Sequence, residues 1–148
     1  MRLIFKITGL LLIFISFSAL GILKSLSLKK REERLKAYWS FLTLLSSKIS
    51  AGEEFLKSAL QNPSLVSFKN GKPEFQKAFL LKEDISVLSE FFGSFGMADR
   101  QSEYKRCLLY IKLLEKQKEN AAENFKKLSK LYSSLGILSG IFICIILL

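Results

Sequence analysis

The stretch Leu131–Leu148 reads LYSSLGILSGIFICIILL and holds no charged residue in 18 positions. Its counterpart near the other end, Ile7–Leu23, reads ITGLLLIFISFSALGIL and is equally free of charge. Every acidic residue, from Glu32 to Glu123, falls between the two. A hydrocarbon core about 30 Å thick is crossed by ~17–25 apolar helical residues, and both stretches have that length. The middle is too charged to enter lipid. The chain therefore reads as a membrane hairpin: an N-terminal transmembrane helix (1–23), a helical domain (24–130) and a C-terminal transmembrane helix (131–148).

The 148 residues carry a net charge of +10. Setting aside Arg2 and Lys6 leaves 21 basic and 13 acidic residues, so the middle carries +8. Its length suits one domain with a modest core. Such a charge can mark nucleic-acid binding. Here it peaks at Lys24, Lys29, Lys30, Arg31, Arg34 and Lys36, just after the first apolar stretch. Lys126, Lys127 and Lys130 stand just before the second. Basic residues beside span ends mark the cytoplasmic face, and each attracts anionic headgroups by about 1 kcal/mol. This reading predicts a cytoplasmic domain with both termini across the membrane, and makes nucleic acid the less favoured partner. A cleaved leader is the competing reading of the N-terminus. The first apolar run exceeds the usual ~7–15 residues of a signal peptide, and the basic cluster after it opposes export, so a retained anchor is expected.

Leu28, Leu35, Leu42 and Ile49 recur every seven residues, with Tyr38 and Leu45 between them. That is one helical stripe. Nothing breaks a helix between Lys24 and Ser50, so the first span is expected to continue as one long helix ending at Ala51-Gly52. Those 27 residues extend about 40 Å. Ser50 and Glu53 have capping-box spacing for a following helix with Phe55, Leu56, Ala59 and Leu60. Asn62-Pro63 ends it. A turn-rich segment follows to Pro73, with Asn70-Gly71 as a breaker. A short helix over Glu74–Leu80 places Phe75 and Phe79 on one face. Another opens at Lys82 or Glu83, with Ile85, Leu88, Phe91, Phe92 and Phe95 inward; Gly93 and Gly96 weaken its end. Asp99 is the predicted N-cap of the last helix. Its stripe is Tyr104, Cys107, Ile111, Leu114, Ala121, Phe125, Leu128, Tyr132 and Leu135, with Lys118 as the polar intrusion. The stripe crosses into the second span without a breaker. The expected fold is all-α, a small antiparallel helical bundle carried on two spans continuous with its first and last helices. Strand signals are weak.

No catalytic constellation emerges. There is no histidine, the usual general base and metal ligand. Ser/Lys pairs are numerous but fall on polar helix faces. Glu53/Glu54 and Glu83/Asp84 suit helix starts, where the dipole favours acids. Phosphate loops, zinc spacings and dinucleotide fingerprints are missing. Cys107 and Cys144 read as apolar fillers, and Trp39 as core. No cofactor or metal is expected, and the chain is not read as an enzyme. Gly136 and Gly140 form a G-x-x-x-G that, with Ser139, makes a small face for close helix packing in lipid; the first span, thinned by Gly9, Ser16 and Gly21, is one possible partner.

The tract Lys130-Leu131-Tyr132-Ser133-Ser134-Leu135-Gly136-Ile137-Leu138-Ser139-Gly140 and the apolar end after it resemble the stage III sporulation protein AB family. Ile49-Ser50-Ala51-Gly52 leading to Leu56 and Ala59, and Phe95-Gly96-Met97-Ala98-Asp99 entering the long helix, agree. The resemblance covers essentially the whole chain, the C-terminal tract being its most specific part. That family is similar to the inner-membrane platform proteins of type II secretion and type IV pilus systems. The resemblance implies a non-enzymatic scaffold subunit of a transenvelope channel complex between mother cell and forespore. It implies the mother-cell membrane around the forespore, a domain facing the mother-cell cytoplasm, and contact with the complex's ATPase, the AA protein, and with other membrane subunits; self-association is also open. The expected contact surface is the membrane-distal end: Ala51, Gly52, Glu53, Glu54, Gly96, Asp99 and Arg100. The alternative is a membrane-anchored basic module that binds anionic lipid or nucleic acid, for which salt-sensitive binding by the isolated domain would discriminate.

Overall fold

A computed structural model of the chain describes residues 2–52, 65–69 and 72–147. Along them run helix α1 (Arg2–Ala51), strands β1 (Val66–Lys69) and β2 (Lys72–Phe75), helix α2 (Lys82–Ser94) and helix α3 (Arg100–Leu147). The fold is all-α with one small hairpin. Glu53 of the predicted Ser50–Glu53 capping box, the helix bearing Phe55 to Leu60, the stop at Asn62-Pro63 and the Asn70-Gly71 breaker lie outside the described residues; Ser50 itself belongs to α1. Two compact units result: Met1–Lys30 with Ala122–Leu148, and Arg31–Ala121.

The first unit is a helix pair. Residue numbers rise along α1 as they fall along α3 through four contacts. Cys144 Sγ donates to Leu10 O (3.4 Å), and Ser25 and Ser129 share a hydroxyl hydrogen bond of 2.6 Å. A Cβ on Gly140 would lie 3.0 Å from Phe14 Cδ2, and one on Gly21 would lie 2.5 Å from Tyr132 O and 3.1 Å from Gly136 Cα. Backbone thus meets backbone at Gly21 and Gly136, an approach that a side chain at either position would block. The outward faces carry Leu12, Leu20, Leu138, Phe142 and Ile145, all largely exposed. By length and composition both helices are capable of crossing a membrane. Leu135, placed in the predicted stripe, is half exposed; the contact here runs along the small residues instead.

The second unit has a conventional core. α1 supplies Leu35, Tyr38, Leu42, Leu45 and Ile49, the stripe expected from the heptad spacing, and α3 supplies Cys107, Tyr110, Leu114 and Ala121. α2 adds Leu88, Phe91 and Phe92. Each fully buried leucine contributes about 1.5–3 kcal/mol. Phe91 meets Phe92, Phe95 and Tyr110 at centroid distances of 5.1, 5.2 and 5.3 Å, and Phe75 stacks on Phe92 at 5.6 Å. Lys118 Nζ sits 4.1 Å above the Trp39 ring, so the polar intrusion into the stripe is a cation–π contact.

Two expectations need correction. The Glu74–Leu80 helix is absent: β2 pairs antiparallel with β1, Val66 opposite Phe75 and Phe68 opposite Pro73, and a turn follows in which Phe79 has φ 65°. Phe75 is held by the core on one side of an extended strand, and the Tyr38 hydroxyl lies 3.0 Å from the Leu65 and Gln76 carbonyls as donor. Those tertiary contacts outweigh a short helix with no cap. Burial pushes the Tyr38 phenol up. Arg31, read as part of the lipid-facing basic cluster, is instead buried. Its Nε and Nη2 donate to Asp84 Oδ2 and Oδ1 at 2.8 and 2.9 Å, a two-pronged pair between α1 and the start of α2. Asp84 Oδ2 also accepts from Leu81 N at 2.9 Å.

Candidate functional site

Within the Arg31–Ala121 unit, α1 ends and α3 begins side by side. Gly52 at φ 87° turns the chain off α1, and Gly96 at φ 84° turns it off α2; both angles are ones that glycine adopts at little cost. The last carbonyls of a helix run short of partners; here Ile49 O accepts from Gly52 N at 3.2 Å. Arg100 adds to these: its Nε donates to Ile49 O at 2.6 Å and its Nη2 to Ser50 O at 2.5 Å. Asp99 caps α3 by accepting from Ser102 N at 3.2 Å. Hydrogen bonding from the Ser102 side chain, and then from its backbone amide, holds the Asp99 carboxyl below its ordinary range.

Glu103 ties the Phe95–Asp99 turn to α3. It is 5 % exposed, and its Oε1 accepts from Gly96 N (3.1 Å) and Ala98 N (3.2 Å). Arg106 Nη1 lies 3.4 Å from the same oxygen and donates to Ser94 O. Two cavities open here, sharing Ile49 and Arg100 in their walls. One of about 280 Å³ is lined by Ser50, Gln101 and Tyr104, the other of about 300 Å³ by Gly52, Phe95, Ala98 and Glu103. Met97 stands 80 % exposed between Gly96 and Ala98.

Of the residues singled out from sequence, Gly52, Gly96, Asp99 and Arg100 gather at this end, with Ala51 exposed beside Gly52. Glu53 and Glu54 lie outside the described residues. Gly136 and Gly140 face Gly21 and Phe14 in the other unit, and the Ser139 hydroxyl donates to Gly136 O in its own helix at 3.0 Å. Glu103 went unnoticed from sequence. Its signal was available: an acid in the first turn of a helix preceded by a glycine turn has loop amides to accept from.

Burial raises the Cys107 thiol to about 12, with the Glu103 charge adding to it. The thiol is therefore a poor nucleophile. Tyr110 is raised by burial and by Glu90.

A family model described as stage III sporulation protein AB matches the chain over residues 6–77 and 67–148. No curated protein and no solved structure matches it.

Proposed function

The chain belongs to the stage III sporulation protein AB family, and from that premise we propose that this sporulation-related protein is a non-enzymatic membrane scaffold. α1 and α3 cross the mother-cell membrane around the forespore, with the Arg31–Ala121 unit on the mother-cell cytoplasmic side. There it couples the ATPase of the complex to other membrane subunits. The observation that carries this reading is the double use of two helices. Each holds an apolar stretch long enough to span and also supplies one wall of a water-type core. The exposed Lys24, Lys126 and Lys130 support the orientation, because basic residues beside spans favour the cytoplasmic face.

Partner contact is placed at Ala51, Gly52, Gly96, Asp99 and Arg100. A photoreactive residue at Met97, whose side chain is exposed and makes no wall of the neighbouring cavity, tests it in sporulating cells. Adducts containing the ATPase are expected. Adducts from Leu138 but none from Met97 would remove the coupling role, and a terminus labelled from the mother-cell cytoplasm would reverse the topology.

A further inference from the structure

We propose that the outward face of α3 from Lys105 to Lys116 docks an acidic amphipathic helix of a partner protein. This goes beyond the scaffold reading, because none of these residues belongs to the contact placed at Ala51, Gly52, Gly96, Asp99 and Arg100.

Between 105 and 116 the exposed positions of α3 are Lys105, Leu108, Leu109, Lys112, Leu113 and Lys116, with no acid among them. The leucines are 39, 57 and 42 % exposed. The other helices of the Arg31–Ala121 unit turn out a different surface. From Arg31 to Ser50, α1 exposes one large apolar side chain, Leu44, among serines, a threonine and charged residues, and α2 exposes none. Solvation accounts for those two faces. It does not account for three leucines set opposite Cys107, Tyr110 and Leu114, which already give α3 its core stripe. At about 3.6 residues per turn the three lysines fall nearly on one line, with Leu108 to one side and Leu109 and Leu113 to the other. The line is about 16 Å long, three turns of a partner helix. None of the three lysines makes an ion pair among the described residues. The next exposed acid along α3, Glu119, lies beyond the last of them.

Charge and position select the occupant. A second copy of the same face would set lysine against lysine, which opposes the self-complementary pairing of symmetric dimers. A bilayer surface is met by an amphipathic helix that lies in its plane. α3 instead runs on as one helix to Leu147, and Leu113 stands eighteen residues, about 27 Å of rise, before the charge-free run that starts at Leu131. A nucleic acid would take the lysines through its phosphates and leave the leucines against a charged backbone. A helix with an apolar seam edged by Asp or Glu satisfies both residue types. Its seam covers the leucines, and its carboxylates meet the line of lysines. Recognition of this kind reads the partner through anchors at helical spacing.

The test places a photoreactive benzoylphenylalanine at Leu109 of the full chain in sporulating cells, with a second chain carrying it at Ser89 on the polar face of α2. Adducts are digested and the crosslinked peptide is sequenced by mass spectrometry. Leu109 should capture a protein segment with apolar residues at helical spacing and Asp or Glu beside them, and Ser89 should not. Lys112→Glu should reduce that adduct about tenfold or more, since it sets carboxylate against carboxylate. It should leave folding intact, because the position is exposed and a Glu four residues before Lys116 suits a helix. Lys112→Arg should keep the adduct. A crosslink from Leu109 to lipid, to a second copy of the chain, or to a segment without acids would overturn the proposal. So would equal capture from Ser89, an adduct indifferent to Lys112→Glu, or no adduct at all. Adducts from Met97 without any from Leu109 sink this face and spare the scaffold reading; the acidic segment captured from Leu109 with nothing from Met97 does the reverse.

Discussion

In the paired ends of α1 and α3 the closest contacts are made by the smallest residues, Gly21 against Gly136 and Ser25 against Ser129. Leu12, Leu20, Leu138, Phe142 and Ile145 point away, while Phe14 packs on Gly140. In the Arg31–Ala121 unit large side chains, among them Tyr38, Phe91, Leu35 and Leu114, are fully enclosed. The same two helices thus pack by opposite rules. Lipid tails are as apolar as leucine, so helices in a bilayer gain from close backbone approach and shared hydrogen bonds. In water the gain comes from removing apolar area from solvent. Under the proposed membrane reading the contrast marks which stretch of each helix meets which solvent, and a change of residue size should act with opposite sign in the two units.

The largest effect should come from the buried Arg31–Asp84 ion pair of the Arg31–Ala121 unit. Asp84→Ala leaves Arg31 enclosed without its carboxylate and should cost about 3–5 kcal/mol. Denaturant unfolding of the full chain in micelles, followed by Trp39 fluorescence, measures this. The double variant Arg31→Met with Asp84→Leu should recover most of the loss, since a pair replaced by apolar side chains of similar size is often neutral. If Asp84→Ala unfolds at the wild-type denaturant concentration, the pair is solvated and the contrast loses its strongest element.

Size changes come next. Leu114→Ala should cost about 2–5 kcal/mol in the core, whereas Leu138→Ala, on an exposed site of the paired ends, should stay within about 0.5 kcal/mol. Gly21→Val reverses the direction of insult. The added atoms meet the Tyr132 carbonyl, and overpacking of this kind costs about 1–3 kcal/mol. The readout is disulfide trapping between cysteines replacing Ser25 and Ser129, in a chain lacking Cys107 and Cys144. Trapping should fall while the Trp39 transition holds. A Gly21→Val chain that traps as efficiently as its parent would show that backbone contact is not what pairs the ends. Ser129→Ala removes only the shared hydroxyl bond and should cost ~0.6 kcal/mol, the mean for bonds between membrane helices.

Much of this contrast was legible in the sequence because it rests on periodicity. The heptad of Leu35, Leu42 and Ile49 gave one wall of the core, and unbroken charge-free runs gave the paired ends. What escaped was non-local. Arg31 and Asp84 are 53 positions apart; each had a sufficient local explanation, lipid headgroups for one and a helix dipole for the other. The hairpin escaped for another reason. Its strands are four residues each, too short for a clear alternation, and Asn70-Gly71 was read as a breaker although that dipeptide between short extended runs is a strong hairpin signal. Gly52, Gly96 and Arg100 were picked as loop residues at a helix junction. Glu103 was missed because its role depends on two amides that only the folded turn presents.

At neutral pH the smallest effect is expected from the two cysteines, one in each unit. Cys144 donates to the Leu10 carbonyl in the paired ends, while Cys107 is enclosed in the core and its thiol is raised from 9.0 to about 12. The folded state therefore holds the Cys107 proton over a range where the unfolded chain has released it. Protons bound in excess by the folded state mean that stability falls as pH rises. This contribution is intact below pH 9 and is lost progressively from there toward 12. Tyr38 and Tyr110 act in the same direction, but from their ordinary 10.0 upward, which leaves pH 9 to 10 to Cys107. In a Cys144→Ala background, iodoacetamide should leave the folded chain unmodified at pH 9 and label it once denaturant is added. Unfolding free energy should decline between pH 9 and 10 in that chain and stay level when Cys107→Ala is added. Rapid labelling of the native chain at pH 9 would mean that water reaches Cys107, and with it the interior on which the contrast between the two units depends.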